Sequence, residues 1–258
     1  MKPTSRELHS FPGLRRLIAT LRGPDGCPWD KVQTHQSLRH YLLEESSETL
    51  AALDAADAAR LCEELGDLLL QVLLHVQIAE EHGDFHMRDV IYGIAGKLVR
   101  RHPHVFSGAV AETPDAVVQQ WDELKRQERG AESALSGVPE TLPSLAYAQA
   151  IQRRAGNAGF AFESIDQAWE ALEEELEELR RADTPARQRE ETGDVLFALA
   201  NLARFLDADA EEALRSTARG FTHLFQRVEE IVKARGLDLR QAEMAQKLAL
   251  WEEAKGVG

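Results

Sequence analysis

Strand patterning is missing from this sequence, and so are several features that would point quickly to a function. Nowhere do apolar and polar residues alternate over a strand's length, which excludes a sheet-based fold. No run approaches the roughly 18 apolar residues of a membrane span. The opening MKPTSRELHSF also lacks the apolar stretch of a secretory signal. Cysteine is scarce. Cys27 and Cys62 form neither a CxxC pair nor a disulfide framework, so they are expected as reduced thiols of a cytoplasmic protein. Positive charge is short as well: 30 Lys and Arg stand against 44 Asp and Glu, a net charge of −14. That balance excludes a protein that grips nucleic acid through its phosphates. An acidic chain can still bind a phosphorylated small molecule, provided metal ions neutralise the local repulsion.

What is present is helical periodicity nearly throughout, over 258 residues of which 43% are hydrophobic. The pattern predicts helices over Arg6–Arg22, Leu38–Asp54, Ala58–Glu81, Met87–Arg101, Pro114–Arg129, Ser144–Gly156, Ile165–Arg181, Pro185–Leu206, Ala210–Arg235 and Arg240–Lys255. Breakers such as GPDGCPW, HGDF, HPHVFSG, SGVPETLP and GNAGF fall between them. The fold class is all-α.

The chain also repeats itself. EELGDLLLQVLLHVQIA (63–79) is echoed by EETGDVLFALANLARFL (190–206), LLEESSETL by EEELEELRR, and WDELK by WEEAK. Glu45 and Glu175, Trp121 and Trp251, and Lys125 and Lys255 are each 130 residues apart, while Asp67 and Asp194 are 127 apart. The expected organisation is a first domain over 1–130, a linker over 131–143 and a homologous second domain over 144–258.

The repeated stretches carry carboxylates on the flank of an apolar stripe. On a helical wheel with Leu42 at zero, Leu53, Leu50 and Leu43 span about 20° to 100° and are expected to face the core. Glu45 and Glu48 then lie at about −60° and −120°. With Leu61 at zero on the next helix, Leu65, Leu68, Leu69 and Val72 define its arc, and Glu64 and Asp67 take the same two angles. Two such helices joined by a short connection bring four carboxylates together. Glu175, Glu178, Glu191 and Asp194 repeat the set in the second half. Without a metal these groups would repel one another and raise their own pKa values. Hard oxygen ligands with no Glu-x-x-His partner suit Mg²⁺, with Mn²⁺ the alternative, rather than a di-iron centre.

With EExxE and ExxD in this order, the chain resembles the MazG-type nucleoside triphosphate pyrophosphohydrolases in their two-domain form. GCPWDKVQTHQSL (26–38), ELGDLL (64–69) and RRHPHVF (100–106) carry the likeness further. The resemblance implies conversion of a nucleoside triphosphate to monophosphate and pyrophosphate. It also implies Glu45, Glu48, Glu64 and Asp67 as metal ligands of the first domain, with Glu44 orienting the water, and a homodimer that completes the helical bundle.

The outer phosphates need cations beyond the metal. Lys97 and Arg101, spaced i, i+4, present one basic face, and Lys125 is a further phosphate candidate. Trp121 stacks on a base or caps the bundle, and Trp29 with Asp30 forms a nucleobase lip or packs in the core. Trp251, Lys255 and Asn201 are the corresponding candidates of the second half. That half has Gly220 and Leu224 where the family pattern expects a Lys and an Arg, with Arg219 one position off, so the first domain is expected to carry most turnover. Two other readings stay open: a pyrophosphatase narrow for a dNTP such as dUTP or dCTP, and a catalytically weak helical protein that binds a partner.

Overall fold

The structure, a computed structural model, describes residues 5–110, 113, 116–117, 120–121, 124, 128 and 133–256. Among the described residues there are helices and turns and no strand. The chain divides into two compact units, Met1–Trp121 and Asp122–Gly258.

In the first unit the helices are α1 (Ser5–Leu8), α2 (Phe11–Arg22), α3 (Pro28–Lys31), α4 (Arg39–Asp54), α5 (Ala58–His82), α6 (Met87–Arg101) and α7 (Pro103–Phe106). The single helix expected over Arg6–Arg22 is broken. Ser10 caps α2 by accepting from the Gly13 amide, and Pro12 sits in the first turn, where its missing N–H costs nothing. α4 and α5 form a hairpin across Ala55–Asp57. The Asp57 carboxylate caps α5 on the amides of Ala59 and Arg60, and Gly83 ends that helix in the left-handed region at φ 78°.

The first core is Ile18, Leu38, Leu73, Leu74, Val76, Ile78 and Met87. Two ion pairs lock α2 to the end of α5: Arg15 to Glu80 and Arg22 to Glu81, both at 2.7 Å. Arg22 also donates to the carbonyls of Asp30 and Gln33, so it fixes the loop ahead of α4. Its hydrogen bonds hold the Glu81 carboxyl below the usual carboxylate range.

The wheel arcs of α4 and α5 do not face this core. Leu43 is 68% exposed, Leu53 53% and Leu65 51%, and the residues α4 buries are Thr49 and Ala52. Among the described residues, nothing in the same unit covers that apolar face. α6 shares the condition: Met87 at its start is buried, while Ile91, Ile94 and Leu98 are exposed.

The second unit contains α8 (Ser144–Asn157), α9 (Ile165–Arg181), α10 (Pro185–Phe205), α11 (Ala210–Arg235) and α12 (Met244–Lys255). α9 and α10 repeat the α4–α5 hairpin, with Thr184 capping α10 on the Arg187 amide. α8 packs against α10 and α11. Ala168, Leu172 and Leu202 form one small core, and Val228, Leu250 and Ala254 form another between α11 and α12. α12 starts at Met244 rather than at Arg240, because the chain first turns on the Asp238 carboxylate, which accepts from the Arg240 amide. Most of the helix expected over 114–129 lies outside the described residues.

Candidate active site: twin carboxylate clusters

Each hairpin assembles a carboxylate cluster. On α4, Glu45 and Glu48 stand one turn apart, and Glu64 reaches them from α5. One carboxylate oxygen from each lies within 4.8 Å of the other two. Glu64 is buried, Glu45 half-buried and Glu48 exposed. Burial, followed by the negative charge of Asp67, Glu48, Glu44 and Glu64, holds the Glu45 carboxyl above the usual carboxylate range. Asp67 is thus close enough to act on Glu45, although it stands outside the tight trio. Glu44 is exposed and adds to the same field.

The second hairpin repeats the pattern. Glu175 and Glu178 of α9 and the buried Glu191 of α10 lie within 4.8 Å of one another. Glu175 is pushed up by burial, then by Asp194, Glu178, Glu191 and Glu174. Two helical pairs, each at i, i+3, put like charges together at a cost that a bound cation or a proton relieves. The donor set is oxygen alone and self-repelling, so it fits a hard divalent ion.

A pair of arginines went unread in the sequence. Arg60 donates to Glu64 at 3.1 Å and Arg187 to Glu191 at 2.7 Å, each from four residues earlier on the same helix. Each therefore supports the one buried carboxylate of its cluster. The signal was available: R-x-x-x-E recurs at the 127-residue offset of Asp67 and Asp194.

Also unread was a cavity of about 430 Å³ in the second unit that opens beside Glu175 and Asp194. Phe160, Phe162 and Phe197 give it aromatic walls, and Gln152, Asn201 and Arg204 bring polar groups to it. Of the sequence candidates, Asn201 alone joins the carboxylates there.

The remaining candidates are placed elsewhere. Lys97 and Arg101 stand on α6, Lys97 exposed and Arg101 half-buried. Trp29 is half-exposed in α3, edge-on to Tyr41 at 5.7 Å between ring centroids, and the Asp30 carbonyl is held by Arg22. The Trp121 ring stands edge-on to His102 at 4.9 Å. Lys125 lies outside the described residues. Trp251 packs against Phe221 at 5.1 Å within the α11–α12 core, and Lys255 pairs with Glu252 at 2.8 Å. Gly220 and Leu224 line a shallow depression on α11 with His223 and Arg227.

A model of the MazG nucleotide pyrophosphohydrolase domain matches residues 33–106, which span both α4 and α5. The chain is 42% identical over 248 residues to the nucleoside triphosphate pyrophosphohydrolase/pyrophosphatase MazG of Thermotoga maritima, covering 95% of this chain and 96% of that one. It is 41% identical over 257 residues to the nucleoside triphosphate pyrophosphohydrolase of Escherichia coli K12, with 96% and 98% covered. The uncharacterised protein YabN of Bacillus subtilis is 44% identical over 253 residues, which take in 96% of this chain and 52% of that protein.

Proposed function

The chain belongs to the MazG nucleotide pyrophosphohydrolase family, and from that premise we propose that this nucleoside triphosphate pyrophosphohydrolase works through Mg²⁺, or Mn²⁺, held at its carboxylate clusters. The products are a nucleoside monophosphate and pyrophosphate, and the role is nucleotide-pool housekeeping in the cytoplasm. The observation that carries the reading is the convergence of Glu45, Glu48 and Glu64, repeated by Glu175, Glu178 and Glu191.

Glu45, Glu48, Glu64 and Asp67 hold the ion in the first domain, and Glu175, Glu178, Glu191 and Asp194 hold it in the second. When bound, the divalent ion lowers the pKa of water and neutralises phosphate charge. The exposed Glu44, beside the ligand Glu45, orients the attacking water and accepts its proton. Arg60 and Arg187 hold the buried Glu64 and Glu191 in place through charge-assisted hydrogen bonds.

Assembly completes the first site. The uncovered face of Leu43, Leu53 and Leu65 supports a homodimer in which a second copy supplies the missing half of the bundle. In that dimer Lys97 and Arg101 reach the triphosphate. The two halves act as homologous domains, 1–130 and 144–258, with 131–143 as linker.

The experiment is pyrophosphate release from mixed NTPs, with Mg²⁺ and with excess EDTA. The reading requires release that depends on the metal. Undiminished release from metal-free protein would remove the mechanism, and no release from any nucleotide would favour a partner-binding role.

A further inference from the structure

His35, in the loop between α3 and α4, and His75, on α5, are both half-buried and meet through their Nδ1 atoms at 2.8 Å. Their ring planes are 6° from parallel and their centroids 5.1 Å apart. With the nitrogens so close, that centroid separation leaves one arrangement: the rings lie end to end along the line joining the two nitrogens, not face over face. Such a contact is an N–H···N hydrogen bond, in which one Nδ1 donates and the lone pair of the other accepts. The two neutral rings must then hold opposite tautomers.

That bond counts protons. In the neutral pair the donor ring keeps a lone pair at Nε2, and one added proton enters there. The resulting imidazolium donates a stronger, charge-assisted bond. A second proton can go only to the accepting Nδ1, which sets N–H against N–H and one cation against another, and the bond breaks. Burial, followed by the charge of His35, lowers the His75 pKa. On the elements packed around the pair, Arg15 and Arg22 of α2 are tied to Glu80 and Glu81 of α5, and Lys31 of α3 donates to the Pro24 carbonyl. Asp30 of α3 is half-buried, and Arg39 and His40 are exposed at the start of α4 beside Tyr41. The folded chain resists the second proton more than the unfolded chain does. The bond's contribution is therefore complete above the ordinary histidine range and is lost as pH falls below it.

The loop that carries His35 is closed on itself. Ser37 Oγ donates to Gln33 Oε1, the Ser37 amide donates to Thr34 Oγ1, and the Thr34 amide donates to Ser37 Oγ. Gln33 Nε2 donates to the Trp29 carbonyl, which ties α3 to the same unit. Arg22 holds the front of the loop through the carbonyls of Asp30 and Gln33, and the fully buried Leu38 plants its end at the start of α4. Between these two anchors, the histidine bond joins the loop to α5. We propose that His35 and His75 form a proton-operated latch, which holds residues 32–38 against α5 with no added proton or one and releases them when both rings are charged. Release loosens the support of Trp29 and the first turn of α4, the helix that carries Glu45 and Glu48. Acid then acts on the first cluster through its supports as well as through its carboxylates.

The inference stands apart from the hydrolase reading, because its readouts are protons and amides rather than turnover. In the full chain with ¹⁵N-labelled histidine, NMR near neutral pH should show coupling between the two Nδ1 nitrogens across the hydrogen bond. The pair should take up its two protons in separate steps, as coupled sites do, with the coupling surviving the first and vanishing at the second. Hydrogen exchange follows the loop. Protection of amides 32–38, corrected for intrinsic rates, should fall about tenfold between about pH 8 and about pH 5, the scale of one lost hydrogen bond. His75→Phe and His35→Asn should each remove the coupling and leave protection low at both pH values, while His40→Asn should behave as wild type. A missing coupling, a single titration step for both rings, or wild-type protection that stays level with pH would overturn the latch. So would a pH dependence that survives both latch variants. The wild-type measurements decide the matter even where a variant fails to fold.

Discussion

Glu191, buried at the second carboxylate cluster, accepts a hydrogen bond from Arg187 at 2.7 Å, one turn earlier on α10. The pair works as a unit. Arg187 binds one oxygen of the buried carboxylate and fixes its orientation, which leaves the other oxygen for a metal. The same negative charge raises the Arg187 pKa, led by its hydrogen bond to Glu191. Arg60 and Glu64 repeat the arrangement at 3.1 Å.

Removing the cation should therefore weaken metal binding rather than merely alter the surface. Arg187→Met is expected to lower Mg²⁺ affinity at the second site by about 10–100-fold, the range for losing a group that orients a ligand. Arg60→Met should do the same at the first. Isothermal titration with Mg²⁺, against Arg187→Lys as the charge-retaining control, checks it. Unchanged affinity in Arg187→Met would reduce the pair to a surface contact.

The clusters also predict how stability follows pH. Glu45 and Glu175 titrate above the usual carboxylate range, so the folded metal-free protein binds protons that the unfolded chain has released. Both states are protonated below the unfolded carboxylate pKa, and no penalty exists there. The penalty grows as pH rises through the interval between unfolded and folded values and is complete above it. Divalent metal cancels it. Mg²⁺ should therefore raise the melting temperature near pH 7 and lose that effect as the carboxylates protonate near pH 4. Scanning calorimetry with Mg²⁺ or EDTA at the two pH values is the measurement, and an equal shift at both would contradict the linkage.

The uncovered leucines give a third prediction. Leu43, Leu53 and Leu65 form an apolar face left exposed among the described residues of their unit. Light scattering should give a dimer at micromolar concentration. Leu53→Glu, which places charge in a face that must become dry, should shift the chain toward monomer and lower activity at the first site. A stable and active wild-type monomer would refute the assembly.

That face also shows what the sequence could and could not convey. The i, i+3 carboxylates were legible because helix periodicity alone sets them on one edge, and three of each four meet within 4.8 Å. The apolar arc beside them was equally legible, but its destination was not. A leucine bound for a subunit interface follows the same pattern as one bound for its own core, so Leu43 and Leu53 read as core and stand exposed. The break at Ser10 had a local signal, a capping Ser followed by Pro12, hidden under a longer apolar period. The His35–His75 bond had no local signal at all. It exists only because the fold sets two rings, 40 residues apart in the chain, end to end.

The last prediction concerns which cluster turns substrate over. The two sites match in their metal carboxylates and in the arginine behind the buried one, so metal binding cannot distinguish them. They differ in the cations available to the outer phosphates. Lys97 and Arg101 stand on α6 in the first half, whereas by the family pattern Gly220 and Leu224 on α11 are expected to take the corresponding places. A hydrogen bond from a charged group to phosphate contributes about 1.5–3 kcal/mol. Losing two that act in the transition state costs on the order of 10²–10⁴ in rate. The second domain would then hold metal and nucleotide but hydrolyse it slowly. Glu45→Gln should abolish most pyrophosphate release, and Glu175→Gln should spare most of it, each variant first shown by circular dichroism to be folded. The reverse pattern would place the working site on α9 and α10.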